Sequence, residues 1–287
     1  MKKLVIFGVG LIGGSVALAL KKSGNAPQIV GVGRTQESLK AALDLSVIDV
    51  ATSDISFALK DADLVLIATP VAQTPAILAA IKPHLDAQTV ITDAGSTKGD
   101  VLSYAHEVLG EKSNQFVGGH PIAGAEKSGV TAAMADLYIN KNVVITPTQN
   151  TSPEAINLAK QLWQTCGANV SEMSAATHDS IFAAVSHLPH LLAFALVDDI
   201  ASRPNAAQLF GFAASGFRDF TRIAGSHPEM WRDISLANKN ALLSELNAFE
   251  TELSTLKTML QNEDSAGLQA LFERASIARN AWANGKK

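Results

Sequence analysis

"LVIFGVGLIGGS" occupies residues 4–15. It starts as a short apolar run of strand type, turns through Gly8-x-Gly10-x-x-Gly13, and leads into an Ala/Leu-rich stretch. Strand, glycine turn and helix in that order form the fingerprint of a dinucleotide-binding βα unit. Gly8 permits the tight turn, Gly10 lets a pyrophosphate approach the backbone, and Gly13 lets the helix pack against the strand. The first helical turn, with Leu11 and Ile12, then offers amide donors and the positive end of the helix dipole. The same glycines also fit a tight turn that binds nothing. Their position at the first strand–helix junction is what favours a ligand.

The rest of the first half repeats this texture. Short β-branched runs recur as "IVGVG" (29–33), "LVLIAT" (64–69), "TVITDAG" (89–95), "QFVGG" (115–119), "VVITPT" (143–148) and "NVSEMS" (169–174). Between several of them lie stretches with helical spacing, such as "SLKAALDL" (38–45), "PAILAAIKPHL" (75–85) and "PEAINLAKQLW" (153–163). Strands alternating with helices predict βαβ units and a parallel sheet. From Ala175 onward no strand pattern remains. Residues 176–201 read as one long, mostly buried helix interrupted at Pro189, 231–261 as an amphipathic helix, and 265–284 as a final helix. The fold class expected is an α/β Rossmann-type dinucleotide-binding domain, residues 1–173, followed by an all-α domain, residues 174–287. The apolar surface on those helices suggests a homodimer formed through the helical domain.

Composition narrows the function classes. Hydrophobic residues make up 47% of the 287 and charged residues 17%, with a net charge of −4, so no basic face points to nucleic acid. The single cysteine, Cys166, excludes an internal disulfide and suits a reducing, cytoplasmic setting. The apolar run from Leu4 to Leu20, flanked by lysines, resembles a signal peptide. Its fingerprint glycines argue for the nucleotide site instead. "LLAFALV" (191–197) is too short to span a membrane, and no membrane partner is expected.

The second strand bears on the cofactor. An NAD site places an acid about 20 residues past the fingerprint. That count from Gly13 reaches Gly33, followed by Arg34 and Thr35, with no acid there. A guanidinium and a hydroxyl suit a 2′-phosphate, so NADP is preferred over NAD. Arg34 reads otherwise as a solvated surface charge stacked on adenine. Thr69, Pro70, Asp93, Ser96 and Lys98 end later strands and are candidates for the nicotinamide end. Asp93 and Ser96 equally suit capping roles, and Lys98 a surface position.

Four blocks resemble one family: "GVGLIGGS" (8–15), "DAGSTKG" (93–99), "GGHPIAGAEKSG" (118–129), and "SHLPH" (186–190) with "SGFRDFTRIAGSHPEMW" (215–231). The chain looks like a member of the prephenate/arogenate dehydrogenases of tyrosine biosynthesis, over nearly its whole length and in the right order. That resemblance implies an NAD(P)-dependent oxidative decarboxylation. Hydride leaves the ring carbon bearing the hydroxyl, the ring carboxylate leaves as carbon dioxide, and the ring becomes aromatic. It implies His120 as acceptor of the hydroxyl proton, a role a neutral imidazole suits. It gives Ser96 a hydrogen bond to the same hydroxyl and Arg222 a place on a substrate carboxylate. His190, and less directly His187, would contact substrate. Glu126 and Asp219 would stand near the pocket entrance, and Trp231 near the substrate side chain, from this subunit or a partner.

Local readings remain beside these roles. His187 and His190 also fit core histidines bonded to helix carbonyls near Pro189. Arg222 also fits an ion pair with Asp219, Trp231 helix packing, and Glu126 a solvated pair with Lys127. His178 reads as a helix-start residue, and neither an HExxH pattern nor an acid in register suggests a metal site. Ala125 and Glu126 leave prephenate and arogenate unranked, which favours an enzyme that accepts both. The other classes considered are a β-hydroxyacid-type dehydrogenase, for which "NKNALL" (238–243) is the only lure, and a non-catalytic NADP sensor.

Overall fold

The computed structural model describes residues 1–24, 26–33, 35–125 and 127–285. Arg34 and Glu126 lie outside the described residues. Eight strands form one sheet: β1 (Lys3–Phe7), β2 (Gln28–Val32), β3 (Val50–Thr52), β4 (Leu64–Ile67), β5 (Val90–Asp93), β6 (Phe116–Pro121), β7 (Asn142–Thr146) and β8 (Asn169–Glu172). Their order across the sheet is β3-β2-β1-β4-β5-β6-β7-β8. Its first six strands run in the doubly wound dinucleotide-binding order.

Side-chain alternation along the strands builds a core on each face. Leu4 and Ile6 of β1 join Leu64, Leu66 and Val117 on one side. Val5 and Phe7 join Val65, Ile67 and Ile91 on the other. Helices α1 (Leu11–Lys22), α2 (Gln36–Asp44) and α6 (Pro153–Thr165) cover the first face through Val16, Leu20, Leu39, Ala159 and Trp163. Helices α3 (Ile55–Leu59), α4 (Thr74–Ile81) and α5 (Gly99–Leu109) cover the second through Leu59, Leu78, Ile81, Val101 and Leu109. Each such large apolar side chain contributes roughly 1.5–3 kcal/mol on burial.

Two features of the sheet differ from expectation. The sheet is not wholly parallel, because β6 and β7 pair antiparallel, with His120 opposite Val144. Between them the described residues hold a 3₁₀ turn, Val130–Ala132, and no α-helix. A parallel return would need a long crossover, commonly a helix. The second difference is β3, three partly buried residues at the sheet edge, too short to show a period of two.

After Glu172 no strand occurs among the described residues. The helices are α7 (Ala175–Phe182), α8 (Leu188–Ala201), α9 (Ala206–Gly211), α10 (Ser215–Thr221), α11 (Pro228–Ala237), α12 (Lys239–Gln261) and α13 (Ser265–Asn284). Pro189 does not interrupt the long helix. A π turn, Ala183–His187, links α7 to α8 directly before the proline, which falls in the first turn of α8; the widened turn accommodates a residue with no N–H to donate. Nor is this helix mostly buried: Ala175–Ala201 runs 27 residues, and only 28% of its most apolar window is covered. By length and composition alone it could cross a membrane, as many core helices of soluble proteins also could. The predicted helix 231–261 is in fact two, parted at Asn238, whose side chain bonds to residues outside both helices.

By contacts the chain divides into two compact units, Met1–Lys239 and Asn240–Lys287. The second is a pair of helices whose turn is capped by Asp264, which accepts from the Gly267 amide at 2.9 Å. Leu260, Phe272, Ile277 and Trp282 of this unit are exposed.

Candidate active site

The carboxyl ends of β1 and β4 form a cradle. Gly8 has φ +90°, and a Cβ there would lie 2.7 Å from the Ala68 carbonyl oxygen. A Cβ on Gly13 would collide with the Gly8 carbonyl, whereas one on Gly10 would meet nothing within 4 Å. Gly8 and Gly13 are therefore needed for packing, while Gly10 leaves open space at the start of α1. No side chain caps that helix, so the amides of Leu11, Ile12 and Gly13 are left for a ligand. Thr69 Oγ1, just past β4, is buried without a hydrogen-bond partner among the described residues. An open backbone cradle, free helix amides and an orphaned hydroxyl fit a dinucleotide. Pro70 is exposed at the turn after β4. Gly33 packs against Leu39, where a Cβ would lie 3.2 Å from the leucine side chain. The Thr35 hydroxyl lies 2.6 Å from that of Ser38.

Asp93 does not line a ligand pocket. It is buried, accepts from the Gly95 amide at 2.8 Å through one oxygen and from Gly119 at 2.8 Å through the other, and pairs with Lys98. Lys98 is not a surface residue. It is fully buried, and Nζ also donates to the Gly119 carbonyl at 2.8 Å. This pair ties the loop after β5 to the backbone of β6 one residue before His120.

His120 is buried near the carboxyl end of β6. Its Nδ1 lies 2.8 Å from His178 Nε2, and His178 Nδ1 lies 2.8 Å from Asp179 Oδ1. Asp179 accepts in addition from the amides of Lys98 (2.9 Å) and Gly99 (2.8 Å). It therefore caps α5 from a different helix. Phe182 closes one side, its ring centroid 4.8 Å from that of His120. Burial first, then electrostatic coupling to His178, Lys98 and His187, holds His120 well below the usual histidine range. Burial likewise lowers His178, against the opposing pull of Asp179. Burial alone would raise the Asp179 carboxyl, but the bonds from His178 and the two amides outweigh it and hold Asp179 low.

A second group of rings continues from here. His187 Nδ1 lies 3.1 Å from Asn238 Nδ2, which also donates to the Asp179 carbonyl at 2.7 Å. Burial pushes His187 down to about 4. With Nδ1 accepting from Asn238, the proton of neutral His187 sits on Nε2, a buried atom with no hydrogen-bond partner among the described residues. Trp231 stacks on His190 at a centroid separation of 3.6 Å and meets His187 edge-on at 6.0 Å. His190 Nδ1 donates to the Ser186 carbonyl at 2.9 Å. Burial lowers His190, offset by that carbonyl, and the Arg222 charge lowers it further. Arg222 itself is exposed at the start of a 3₁₀ turn. The π turn sets the phase of this group. One extra residue rotates the whole of α8 by about 100° relative to a regular continuation of α7.

The structure thus joins His120, His187, His190, Trp231, the Ser96 backbone and the Arg222 field. Asp219 is exposed on α10. Sequence reasoning missed three residues. His178 is a buried link of the ring chain, and the cap of α7 is Ser174. Asp179 and Asn238 were the others. The one available signal was an adjacent His-Asp pair opening an otherwise apolar helix. Asn238, the lure for β-hydroxyacid chemistry, already spends its amide on His187 and Asp179. Among the described residues no group of three His, Cys, Asp or Glu could hold a metal ion.

Comparison with known proteins completes the picture. A family model described as "Prephenate dehydrogenase, nucleotide-binding domain" matches residues 16–172, and one described as "Prephenate dehydrogenase, dimerization domain" matches 174–274. The chain is 41% identical over 279 residues to a prephenate dehydrogenase of Bacillus subtilis, covering 96% of this chain and 75% of that protein. It is 34% identical to a cyclohexadienyl dehydrogenase of Zymomonas mobilis, covering 98% and 96%. A prephenate dehydrogenase from A. aeolicus, solved in complex with hydroxyphenyl propionate and NAD+, superposes with a TM-score of 0.91 at 40% identity, covering 97% of each chain.

Proposed function

The chain belongs to the prephenate dehydrogenase family, and from that premise we propose that it carries out oxidative decarboxylation of prephenate and L-arogenate in tyrosine biosynthesis. The products are 4-hydroxyphenylpyruvate and tyrosine, respectively. The observation that carries this reading is His120, a buried histidine kept neutral at the carboxyl edge of a dinucleotide-binding sheet. A bound nicotinamide dinucleotide supplies the hydride acceptor. Gly8, Gly10, Gly13 and the first amides of α1 would hold its pyrophosphate.

The protein's own residues then manage a proton and a charge. As hydride departs, the ring hydroxyl gains carbonyl character and must lose its proton. His120 takes that proton, with Ser96 bonding the same oxygen. Arg222 offers a fixed planar cation to a substrate carboxylate, and the stacked pair His190–Trp231 bounds the ring. Glu126 and Asp219 stand at the entrance in this reading. Loss of carbon dioxide needs no further acid, because aromatisation drives it. Steady-state assays of prephenate and arogenate, each with NADP and NAD, test the proposal. Carbon dioxide release coupled to reduced cofactor is expected with both substrates. Oxidation of a 3-hydroxy acid without activity on either would reject it.

NADP as the preferred cofactor is supported by the absence of an acid at residues 33–35, although the A. aeolicus relative was solved with NAD+. Arg34→Ala should weaken NADP binding by about tenfold or more, the worth of a charge-assisted hydrogen bond, and NAD by much less. Equal weakening in a titration of both cofactors would remove Arg34 from the phosphate site. We also assign residues 1–173 to the cofactor domain and 174–287 to a substrate and dimerisation domain. The exposed Phe272, Ile277 and Trp282 support a homodimer through the latter. The composition supports a cytoplasmic location.

A further inference from the structure

We propose that His178, anchored by Asp179, is a positioning residue that fixes the tautomer of His120 and leaves its Nε2 unprotonated for the substrate. The inference rests on His120 being the proton acceptor of the proposed reaction. Counting donors and acceptors along one chain of bonds leads to it. Asp179 receives the Lys98 and Gly99 amides and is held ionised by its contacts. A carboxylate only accepts, so His178 Nδ1 must donate to it. A neutral His178 then has a lone pair on Nε2, 2.8 Å from His120 Nδ1. His120 must donate there. Its remaining nitrogen, Nε2, is left as the free base, and among the described residues the ring makes no other hydrogen bond.

The opposite arrangement would put the proton of His120 on Nε2, the wrong side for a base. It requires His178 to be doubly protonated. The groups facing the two rings are Lys98, His187, Asp93 and Asp179. Burial and the cations among them disfavour added charge on either imidazole, so the neutral pair with one defined direction prevails. A carboxylate orienting a general base through its far nitrogen is the logic of hydrolase triads. Here an extra imidazole is interposed, so that the orienting carboxylate sits on α7 and at the head of α5.

A plain packing role is the rival, since His178 also contacts Phe182, centroid to centroid 4.5 Å. Long-range ¹H–¹⁵N correlation on the full-length, ¹⁵N-histidine protein separates the two, with His120 assigned by difference from His120→Asn. Wild type should show His120 protonated at Nδ1. Protonation at Nε2 would overturn the proposal whatever the variants do. For kinetics, His178→Phe keeps the ring and removes the acceptor, whereas His178→Gln keeps an acceptor without a ring. With prephenate, His178→Phe should lower kcat by about 10² or more with KM little changed. His178→Gln should regain at least about tenfold of that loss. An unchanged kcat in His178→Phe, or equal losses in both, would reject the assignment. Absence of wild-type turnover on prephenate and arogenate would sink the functional reading and leave the tautomer measurement standing on its own.

Discussion

Replacing His120 with asparagine is expected to lower kcat by about 10²–10⁴, the range in which a positioned general base contributes. Cofactor affinity should hardly change, because the nucleotide cradle is built from β1, β4 and α1 and does not include β6. The pH profile supplies a second, independent readout. His120 acts only when neutral, and burial with neighbouring positive charge holds its proton affinity well below the ordinary 6.5. Wild-type activity should therefore stay level as pH falls through 6.5, and decline only in more acid solution. In His120→Asn that acid limb should vanish along with the rate. If the variant keeps more than about a tenth of wild-type kcat, His120 is not the proton acceptor.

The other large effect concerns stability. Lys98→Met should destabilise the fold by about 3–5 kcal/mol, because it strands the buried Asp93 charge. That is a large share of the roughly 5–15 kcal/mol by which domains are stable. Asp93 would still accept from Gly95 and Gly119, which sets the loss within that range and not beyond it. The double variant Asp93→Asn/Lys98→Met removes both charges. It should be less damaged than the sum of the single variants, since the coupling of two contacting groups is lost only once. Urea unfolding of the four proteins gives the comparison. A Lys98→Met protein within about 1 kcal/mol of wild type would mean that the Asp93 charge is not held in isolation.

How far the sequence could be read depended on the reach of each interaction. The cofactor turn was legible because everything it needs lies between Leu4 and Ser15: strand, three spaced glycines, helix. His120 was singled out through the resemblance of "GGHPIAGAEKSG" to a family block, and that block is also local. The reversal of β7 was not, since nothing in "VVITPT" records which way the strand runs. It depends on a connection whose described residues hold no crossover helix. Lys98 was read as a residue of the nicotinamide end or of the surface, and not as a buried tie, because its partner Asp93 and its acceptor Gly119 meet only once β5 and β6 are paired. The largest gap was His178. It contacts His120 across 58 residues of chain, and its neighbour Asp179 reaches the Lys98 amide across 81. A histidine next to an aspartate on a helix has many local uses, and only the folded sheet reveals this one. Asn238 was undervalued for the same reason, 59 residues from the carbonyl it bonds.

The cap on α5 has a consequence for ligand choice. Helices α1 and α5 both begin just past strands of the sheet, and each start is an electropositive receptor for an anion. At α5 the receptor is already filled by the protein's own carboxylate, Asp179. At α1 it is vacant of side chains and shaped by Gly10. Self-occupancy closes the berth at α5 to an outside anion, while the one at α1 stays open.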